Sequence, residues 1–169
     1  MNHSRRNLLR TSGTSALAVG LLSSVGLAVQ QAFATSTETF EVTHTDAEWR
    51  KRLDANAYAV LRQEGTERPF SSPLNNEHRP GTFFCLGCDL ALFSSKTKFD
   101  SGTGWPSFYQ PMDNAVRKQQ DTSLGMSRDE IHCRRCGGHL GHVFDDGPKP
   151  TGLRYCMNGV AMSFKPQMA

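Results

Sequence analysis

The fold of this chain is decided by one stretch, Cys133-Arg134-Arg135-Cys136-Gly137-Gly138-His139-Leu140-Gly141-His142-Val143-Phe144. The stretch contains a Cys-x-x-Cys pair and, directly after it, two histidines three positions apart. A second pair, Cys85-Leu86-Gly87-Cys88, precedes it, and 44 residues separate the two pairs. Four of the five cysteines are therefore paired, and Cys156 stands alone. This division predicts a structural task for the four paired sulfurs and a chemical one for the fifth.

The two pairs predict a structural zinc ion bound by Cys85, Cys88, Cys133 and Cys136. Each pair can bind one Zn²⁺ through both sulfurs, and two pairs complete a tetrahedron. The pairs lie too far apart for one compact zinc finger, so the metal would join two distant parts of the domain. Disulfides are the alternative outside the cytoplasm. A redox pair would favour a βαβ context, which the sequence lacks. A zinc hydrolase needs an open metal position, and four cysteine ligands leave none.

From Gly81 onward, short apolar or β-branched runs alternate with Gly, Pro, Asp and Asn, a texture typical of a small antiparallel β domain. Before them, Thr45 followed by acidic residues predicts a helix start. A second short helix is expected over Ala57–Glu64 and would end at Gly65. Asp54 interrupts the helical spacing of apolar residues between the two. The short runs lie at 82–84, 91–93, 115–116, 131–132, 142–144 and 159–162.

Residues 1–34 have the pattern of a targeting signal. A basic start with Arg5-Arg6 precedes an apolar run, Ala16–Val29, and Ala32-Phe33-Ala34 has the form of a cleavage site. The run is shorter than the ~20 residues that a membrane-spanning helix needs. The arginine pair resembles a twin-arginine (Tat) signal. We therefore expect a periplasmic protein cleaved after Ala34, with an uncleaved anchor as the alternative, and contact with the membrane only through this signal.

The expected organisation after the signal is a flexible tether over residues 35–44 and one folded domain over residues 45–169. Three of the 19 Lys and Arg residues lie in the first 34 residues, and none of the 16 acidic residues does, so the remaining chain is balanced in formal charge. Nucleic-acid binding rests on neutralising phosphates, and a neutral domain argues against such a partner. Gly102-Thr103-Gly104 lacks the third glycine and the following helix of a nucleotide-binding loop.

Cys156 is the candidate nucleophile. Arg154 and Asn158 each lie two residues away, so on a strand they share its face, whereas Tyr155 and Met157 face the other way. A guanidinium nearby lowers the pKa of a thiol and favours the nucleophilic thiolate, and Asn158 would offer hydrogen bonds to a polar substrate. A buried, unreactive cysteine is the plain alternative. His139 and His142 lie close in sequence and strengthen the case for a Cys/His pair.

These residues together resemble the MsrB family, the methionine-R-sulfoxide reductases. The resemblance covers about residues 45–165, nearly the whole chain after the signal, and it is highly specific. It implies a mainly β fold of two antiparallel sheets, with zinc remote from the active site. The motifs that carry it are the two cysteine pairs together with GTERPF at 65–70, KFDSGTGWPSF at 98–108, GHLGHVFDDGP at 138–148 and GLRYCMN at 152–158.

The resemblance also implies a role for each matched residue. Cys156 is similar to the family's nucleophile, and His142 to the acid that protonates the sulfoxide oxygen, with His139 beside it. Trp105 matches the aromatic wall that receives the substrate methyl group. The remaining matched residues are Arg154 and Asn158, on the polar side of the pocket, and Asp146, a position near the histidines from which one of them would be oriented.

The family's chemistry explains these residue types. A thiolate attacks the sulfoxide sulfur while an acid protonates the oxygen, and imidazole suits that task near neutral pH. Methionine leaves, and the cysteine remains as a sulfenic acid. MsrA and MsrB divide the two sulfoxide epimers between them, and the resemblance assigns the R epimer to this chain. The expected substrates are therefore oxidised proteins and peptides, and the task is repair of oxidative damage.

The chain departs from the family pattern at Thr103, where many members carry a second, resolving cysteine. Every other cysteine lies in a predicted metal pair, so no internal disulfide partner for Cys156 is evident. We expect an external thiol, a thioredoxin-like exported protein, to reduce the sulfenic acid, and we expect a monomer. A non-catalytic zinc-ribbon binding module is the competing interpretation, but it leaves the Arg154–Asn158 segment without a task.

Overall fold

The computed structural model describes residues 39–168. The predicted signal and the first residues of the predicted tether lie outside the described residues. Within this range the helices are α1 (Asp46–Arg52) and α2 (Ala55–Gln63). No helix among residues 39–168 is long and apolar enough to cross a membrane.

Both helices begin at side chains that cap their free N–H groups. The Thr45 hydroxyl accepts a hydrogen bond from the Glu48 amide while the Glu48 carboxylate binds the Thr45 amide, which is a complete capping box. This confirms the predicted helix start. Asp54, read in the sequence as an interruption, instead caps α2 by accepting from the amides of Asn56 and Ala57. The second helix therefore starts two residues earlier than predicted, and it ends at a left-handed Glu64 rather than at Gly65.

Nine strands within residues 39–168 form two antiparallel sheets, which confirms the predicted fold class. The smaller sheet has the order β2-β1-β9 and the larger one β3-β4-β8-β7-β6-β5. The run at 159–162 was expected to be a strand, but its first three residues form a 3-10 turn, and β9 begins only at Met162. The strands are β1 (Gly81–Cys85), β2 (Ala91–Ser94), β3 (Lys98–Phe99), β4 (Ser107–Phe108), β5 (Val116–Asp121), β6 (Arg128–Cys133), β7 (His139–Phe144), β8 (Arg154–Met157) and β9 (Met162–Pro166).

The main core contains aromatic side chains from both sheets. Phe83 of β1 and Phe93 of β2 meet Phe108 of β4, and all three are fully buried. The rings of Phe93 and Phe108 stack at a centroid distance of 4.4 Å, and Phe83 meets Phe108 edge to face at 4.9 Å. Aromatic pairs at such distances contribute about 0.5–1.5 kcal/mol beyond their area burial. The core therefore holds the larger sheet, which carries the candidate site, against the smaller one.

The described part of the predicted tether lies against the second cysteine pair. The Val42 amide donates to the Arg135 carbonyl at 3.0 Å, and the Glu41 carboxylate binds the guanidinium groups of Arg134 and Arg135. Phe40 packs so closely over Gly137 that a Cβ there would approach its ring to 2.5 Å. These contacts attach the chain entering the domain to the loop between β6 and β7.

Candidate active site and metal centre

Cys156 lies in the middle of the larger sheet and is half-buried. On β8 it stands opposite His142 of β7 on one side and Ser107 of β4 on the other. The neighbouring strand approaches closely because Gly141 adopts a φ of +153°, and a Cβ at this position would lie 2.1 Å from the Cys156 carbonyl oxygen. Gly141 is therefore required for the register that sets the cysteine beside the histidine.

The electrostatics of the Cys156 thiol combine opposing effects. Burial raises its pKa and is the largest cause. The Thr103 hydroxyl, with Oγ1 3.9 Å from Sγ, and the Arg154 guanidinium both lower it. Arg154 thus acts in the direction that the sequence predicted, but the pKa stays above its ordinary value because desolvation outweighs the guanidinium. A further hydrogen-bond donor or cation close to Sγ would lower the pKa of Cys156 and favour the thiolate.

The two histidines occupy different environments, although they lie three residues apart. The rings meet edge to face at 5.5 Å, but their polar partners differ. His142 binds Asp121 through Nε2 at 2.9 Å. His139 is 3% exposed and binds Glu130 through Nδ1 at 2.7 Å. Burial lowers the pKa of His142, and the Asp121 carboxylate opposes that shift. A buried imidazole with a lowered pKa is a strong acid once it carries a proton, which suits proton donation in a transition state.

Asp146 does not orient a histidine, which corrects the prediction. Its carboxylate binds Arg154 in a bidentate pair, with Oδ1 2.8 Å from Nε and Oδ2 2.9 Å from an η nitrogen. The guanidinium stacks on the Phe144 ring at 4.4 Å. The reason is strand geometry, because Asp146 follows β7 and faces the start of β8. The carboxylates on the histidines are Asp121 and Glu130.

Trp105 and Asn158 are both tied to Glu67, which the sequence reading left without a role. The Trp105 indole donates to the Glu67 carbonyl at 3.1 Å, and the Glu67 amide donates to Asn158 Oδ1 at 2.9 Å. The Asn158 amide nitrogen donates to the Leu140 carbonyl at 3.1 Å. Asn158 is 3% exposed, and both polar atoms of its side chain bind backbone, so it holds the pocket walls together. It also lines the cavity beside Cys156, and its expected hydrogen bond to the substrate stays a prediction.

A cavity of about 130 Å³ opens beside the thiol and is lined by Trp105, His142, Cys156 and Asn158, together with Arg128 and Phe144. Trp105 is only partly buried, so it is a pocket wall and not a core indole. Drug-sized ligands occupy cavities of roughly 300–1,000 Å³. This one accepts the end of a single side chain, with an aromatic wall for an apolar group and an imidazole for a polar one.

Four residues of the site were not predicted from the sequence: Asp121, Glu130, Arg128 and Glu67. One signal was available for two of them, since Arg128 and Glu130 alternate on β6, and Glu130 pairs in register with His142. That register depends on a bulge between Ile131 and His132, which no local pattern announces. Glu67 reaches Gly159 and Val160 across 92 or more positions of chain, so its partner could not be read from sequence.

The four paired cysteines form a structural metal site. Their sulfurs all lie within 4.8 Å of one another, and the Cys85–Cys136 and Cys88–Cys133 separations are 3.7 and 3.5 Å. A tetrahedron with metal–sulfur bonds of ~2.3 Å has sulfur–sulfur edges of about 3.8 Å, so the donor set fits. All five cysteines are free thiols in the described structure, which disfavours the disulfide alternative. Cys85 ends β1 of the smaller sheet and Cys133 ends β6 of the larger one, so a metal bound there would join the two sheets.

The chain matches one family model and several proteins that share one name. The family model described as the SelR domain matches residues 53–166. The chain is 56% identical over 128 residues to a protein of Pseudomonas putida named peptide methionine sulfoxide reductase MsrB, covering 75% of this chain and 96% of the relative. Proteins of the same name from Leptospira interrogans, 54% identical with 75% and 97% covered, and Bradyrhizobium diazoefficiens, 51% identical with 79% and 96% covered, are similar to it as well.

Proposed function

This chain belongs to the MsrB family of peptide methionine sulfoxide reductases, which reduce methionine-R-sulfoxide, and we propose that Cys156 is its nucleophile and His142 its proton donor. The observation that carries this proposal is the direct opposition of the two residues across β7 and β8. Directly opposed residues of an antiparallel pair have Cβ atoms about 4.5–5.5 Å apart on one face of the sheet. A sulfoxide held between them would present its sulfur to Sγ and its oxygen to the imidazole.

The proposed reaction transfers one oxygen atom and two electrons. The Cys156 thiolate forms a bond to the sulfoxide sulfur while His142 delivers a proton to the sulfoxide oxygen. The protonated oxygen then passes to Sγ of Cys156 as the sulfur–oxygen bond of the substrate breaks. The transient sulfur–sulfur bond breaks with its electron pair going to the methionine sulfur, so methionine leaves and Cys156 remains as a sulfenic acid. Methionine sulfur is reduced by two electrons, and the cysteine sulfur is oxidised by two. Trp105 receives the methyl group, and Arg154 lowers the thiol pKa from the polar side.

An external thiol completes the proposed cycle. The Thr103 hydroxyl lies 3.9 Å from Sγ, where a resolving cysteine would be needed, and a hydroxyl cannot form a disulfide. The other four cysteines belong to the metal site. A thiol of a thioredoxin-like protein attacks the sulfenic sulfur and releases water, and a second thiol of that protein resolves the mixed disulfide and restores Cys156. Reduction by an external thiol is supported by Thr103 at the resolving position and by the placement of the other four cysteines in the metal site.

Zinc is the metal that we propose for the four-cysteine site, held by Cys85, Cys88, Cys133 and Cys136. Four thiolates in a closed tetrahedron are the donor set of structural zinc. A zinc ion held there would cross-link the two sheets and would supply no chemistry at Cys156.

The Arg5-Arg6 start supports export by the Tat route to the periplasm, with cleavage after Ala34. Tat substrates cross the membrane folded, so the thiolates would be metal-bound before they meet an oxidising compartment. We also propose a monomer.

The proposal is tested by one turnover without reductant. Wild-type protein mixed with a peptide carrying methionine-R-sulfoxide should form one methionine per chain and lose one reactive thiol per chain. A reagent that traps sulfenic acids should label Cys156. Cys156→Ser should form no methionine and keep its full metal content. A disulfide between Cys156 and any metal-site cysteine after turnover would contradict the external-thiol step. Methionine formed by Cys156→Ser would refute the nucleophile.

A further inference from the structure

Arg128 shares one carboxylate oxygen with His142. The guanidinium donates to Asp121 Oδ2 at 2.6 Å, and the His142 Nε2 lies 2.9 Å from the same oxygen. The other oxygen of Asp121, Oδ1, accepts from the Ser123 amide at 2.8 Å. The side chains of Arg128, Asp121 and His142 are 25%, 16% and 14% exposed. Charges this well covered are screened much less by salt than those of a surface pair.

The position of Arg128 follows from sheet register. It is the first residue of β6 and pairs directly with Asp121, the last residue of β5. It also shares a face of β6 with Glu130, which pairs with His142 across β7. Arg128 lines the pocket beside Cys156. It also lines an outer groove of about 510 Å³ that continues past Phe144. Its buried Nε has no hydrogen-bond partner.

The charge on the His142 imidazole is set by groups from every neighbouring strand. Asp121 of β5 favours the imidazolium, and Arg128 of β6 disfavours it. His139 on the same strand also disfavours the imidazolium. Glu130 faces His142 in register and is already bound to His139, and Cys156 faces it from β8. Glu64 lines the adjoining cavity. Among these groups, only Arg128 binds the same carboxylate oxygen as His142.

Resting on the proposed function, we propose that Arg128 is a positioning residue of the reduction, which holds the Asp121 carboxylate so that His142 meets the sulfoxide oxygen in a fixed place and with a tuned charge. Two consequences follow from the shared oxygen. Without the guanidinium, only the Ser123 amide holds the Asp121 carboxylate, and Oδ2 binds His142 alone. The imidazole then gains a stronger counter-charge and loses its fixed orientation.

The test is the pH dependence of the single-turnover rate of methionine formation. Burial raises the pKa of Cys156 and lowers that of His142, so thiolate and imidazolium coexist only as a minor species of the pair. For such a pair the rate rises with pH until the pH passes the lower pKa, that of His142. Arg128→Met should move this acid limb to higher pH, and Asp121→Asn should move it to lower pH. Arg128→Lys keeps the charge and should leave the limb in place.

The rate constant at saturating substrate should fall by roughly tenfold to a hundredfold in Arg128→Met, with a smaller change in the half-saturating concentration, because the loss is one of alignment. Lys118→Met is the matched control, since Lys118 lines the same outer groove but pairs with Asp129 in an exposed position. It should behave as wild type. Arg128→Lys should recover part of the rate.

Three outcomes would overturn the inference. The first is a shift of the acid limb in the same direction for Arg128→Met and Asp121→Asn. The second is a shift in Arg128→Met that is no larger than the shift in Lys118→Met. The third is an acid limb that moves in Arg128→Lys. If Arg128→Met does not fold, Asp121→Asn and Arg128→Lys test the same relationship. Methionine formed by Cys156→Ser would refute the proposed function instead, whereas a silent Cys156→Ser with an unchanged Arg128→Met refutes only this inference.

Discussion

His142 and Cys156 are directly opposed residues on adjacent antiparallel strands, although 13 residues of chain lie between them. The opposition places an imidazole and a thiol on one face of the sheet, above a cavity with an aromatic wall. The strands hold them, not a loop, so their separation is fixed by backbone hydrogen bonds on both sides. Because the frame is rigid, a substitution at His142, Arg154, Asp146 or Thr103 should change one contact of the site and leave the strands in place.

His142→Asn should lower the single-turnover rate of methionine formation by about 10²- to 10⁴-fold, the usual contribution of a positioned acid. Alkylation of Cys156 should continue, because the thiol remains accessible. His78→Asn is the control, since His78 is exposed on the loop before β1. A rate within twofold of wild type in His142→Asn would assign the proton to another donor.

The Asp146–Arg154 pair should set the reactivity of Cys156 in two opposite directions. Arg154 lowers the thiol pKa, and Asp146 raises it. Asp146→Asn should therefore lower the Cys156 pKa, and Arg154→Met should raise it further. The measurement is the rate of iodoacetamide alkylation against pH, whose midpoint should move to lower pH in the first variant and to higher pH in the second. Movement in one common direction would show that packing, not charge, controls the thiol.

Thr103→Cys should convert the chain to internal resolution. The Thr103 hydroxyl lies 3.9 Å from Cys156 Sγ, on a loop whose flanking glycines have positive φ. A thiol there can attack the sulfenic acid and form a disulfide. After one turnover without reductant, each chain should lose two reactive thiols, whereas each wild-type chain should lose one. Thr103→Ser is the control and should keep the wild-type count; unchanged thiols in Thr103→Cys would mean that the loop cannot bring the two sulfurs together.

Gly141→Ala should destabilise the fold and abolish reduction, because its Cβ would collide with the Cys156 carbonyl at 2.1 Å. Overpacking of a close backbone contact costs about 1–3 kcal/mol or more. Gly152→Ala is matched, since Gly152 also has a positive φ but nothing within 4 Å of its Cβ position. Its cost should be only about 1–2 kcal/mol, with reduction retained. Denaturant unfolding and single-turnover assays distinguish the two, and equal losses would show that φ alone matters.

Cys88→Ser should release the metal and lower the melting temperature steeply, because a structural zinc site contributes on the order of 10 kcal/mol to folding in small metal-bound domains. Cys88 is the least buried of the four, so the change adds little strain of its own. Metal content and thermal unfolding measure the effect. Cys156→Ser should match wild type in both, and full metal content in Cys88→Ser would exclude the four-sulfur site.

Much of this molecule was predictable because its signals are local. Thr45 and Glu48 form a capping box within one helical turn, and the spacing of the cysteine pairs indicates metal binding without reference to the rest of the chain. Asp54 was misread for the same reason, since an acidic residue between apolar positions interrupts one helix and caps the next with equal ease. A local sequence pattern cannot distinguish an interruption from a cap until the path of the chain in three dimensions is known.

Residue types and short spacings were enough to predict the class of fold, the four-sulfur site, the odd cysteine and the family. The partner of each carboxylate could be known only from the folded chain. Asp121 and Glu130 bind the histidines, and Asp146 binds Arg154. These pairings depend on strand register, which is set by the whole sheet and by the bulge that leaves Leu140 of β7 unpaired with β6.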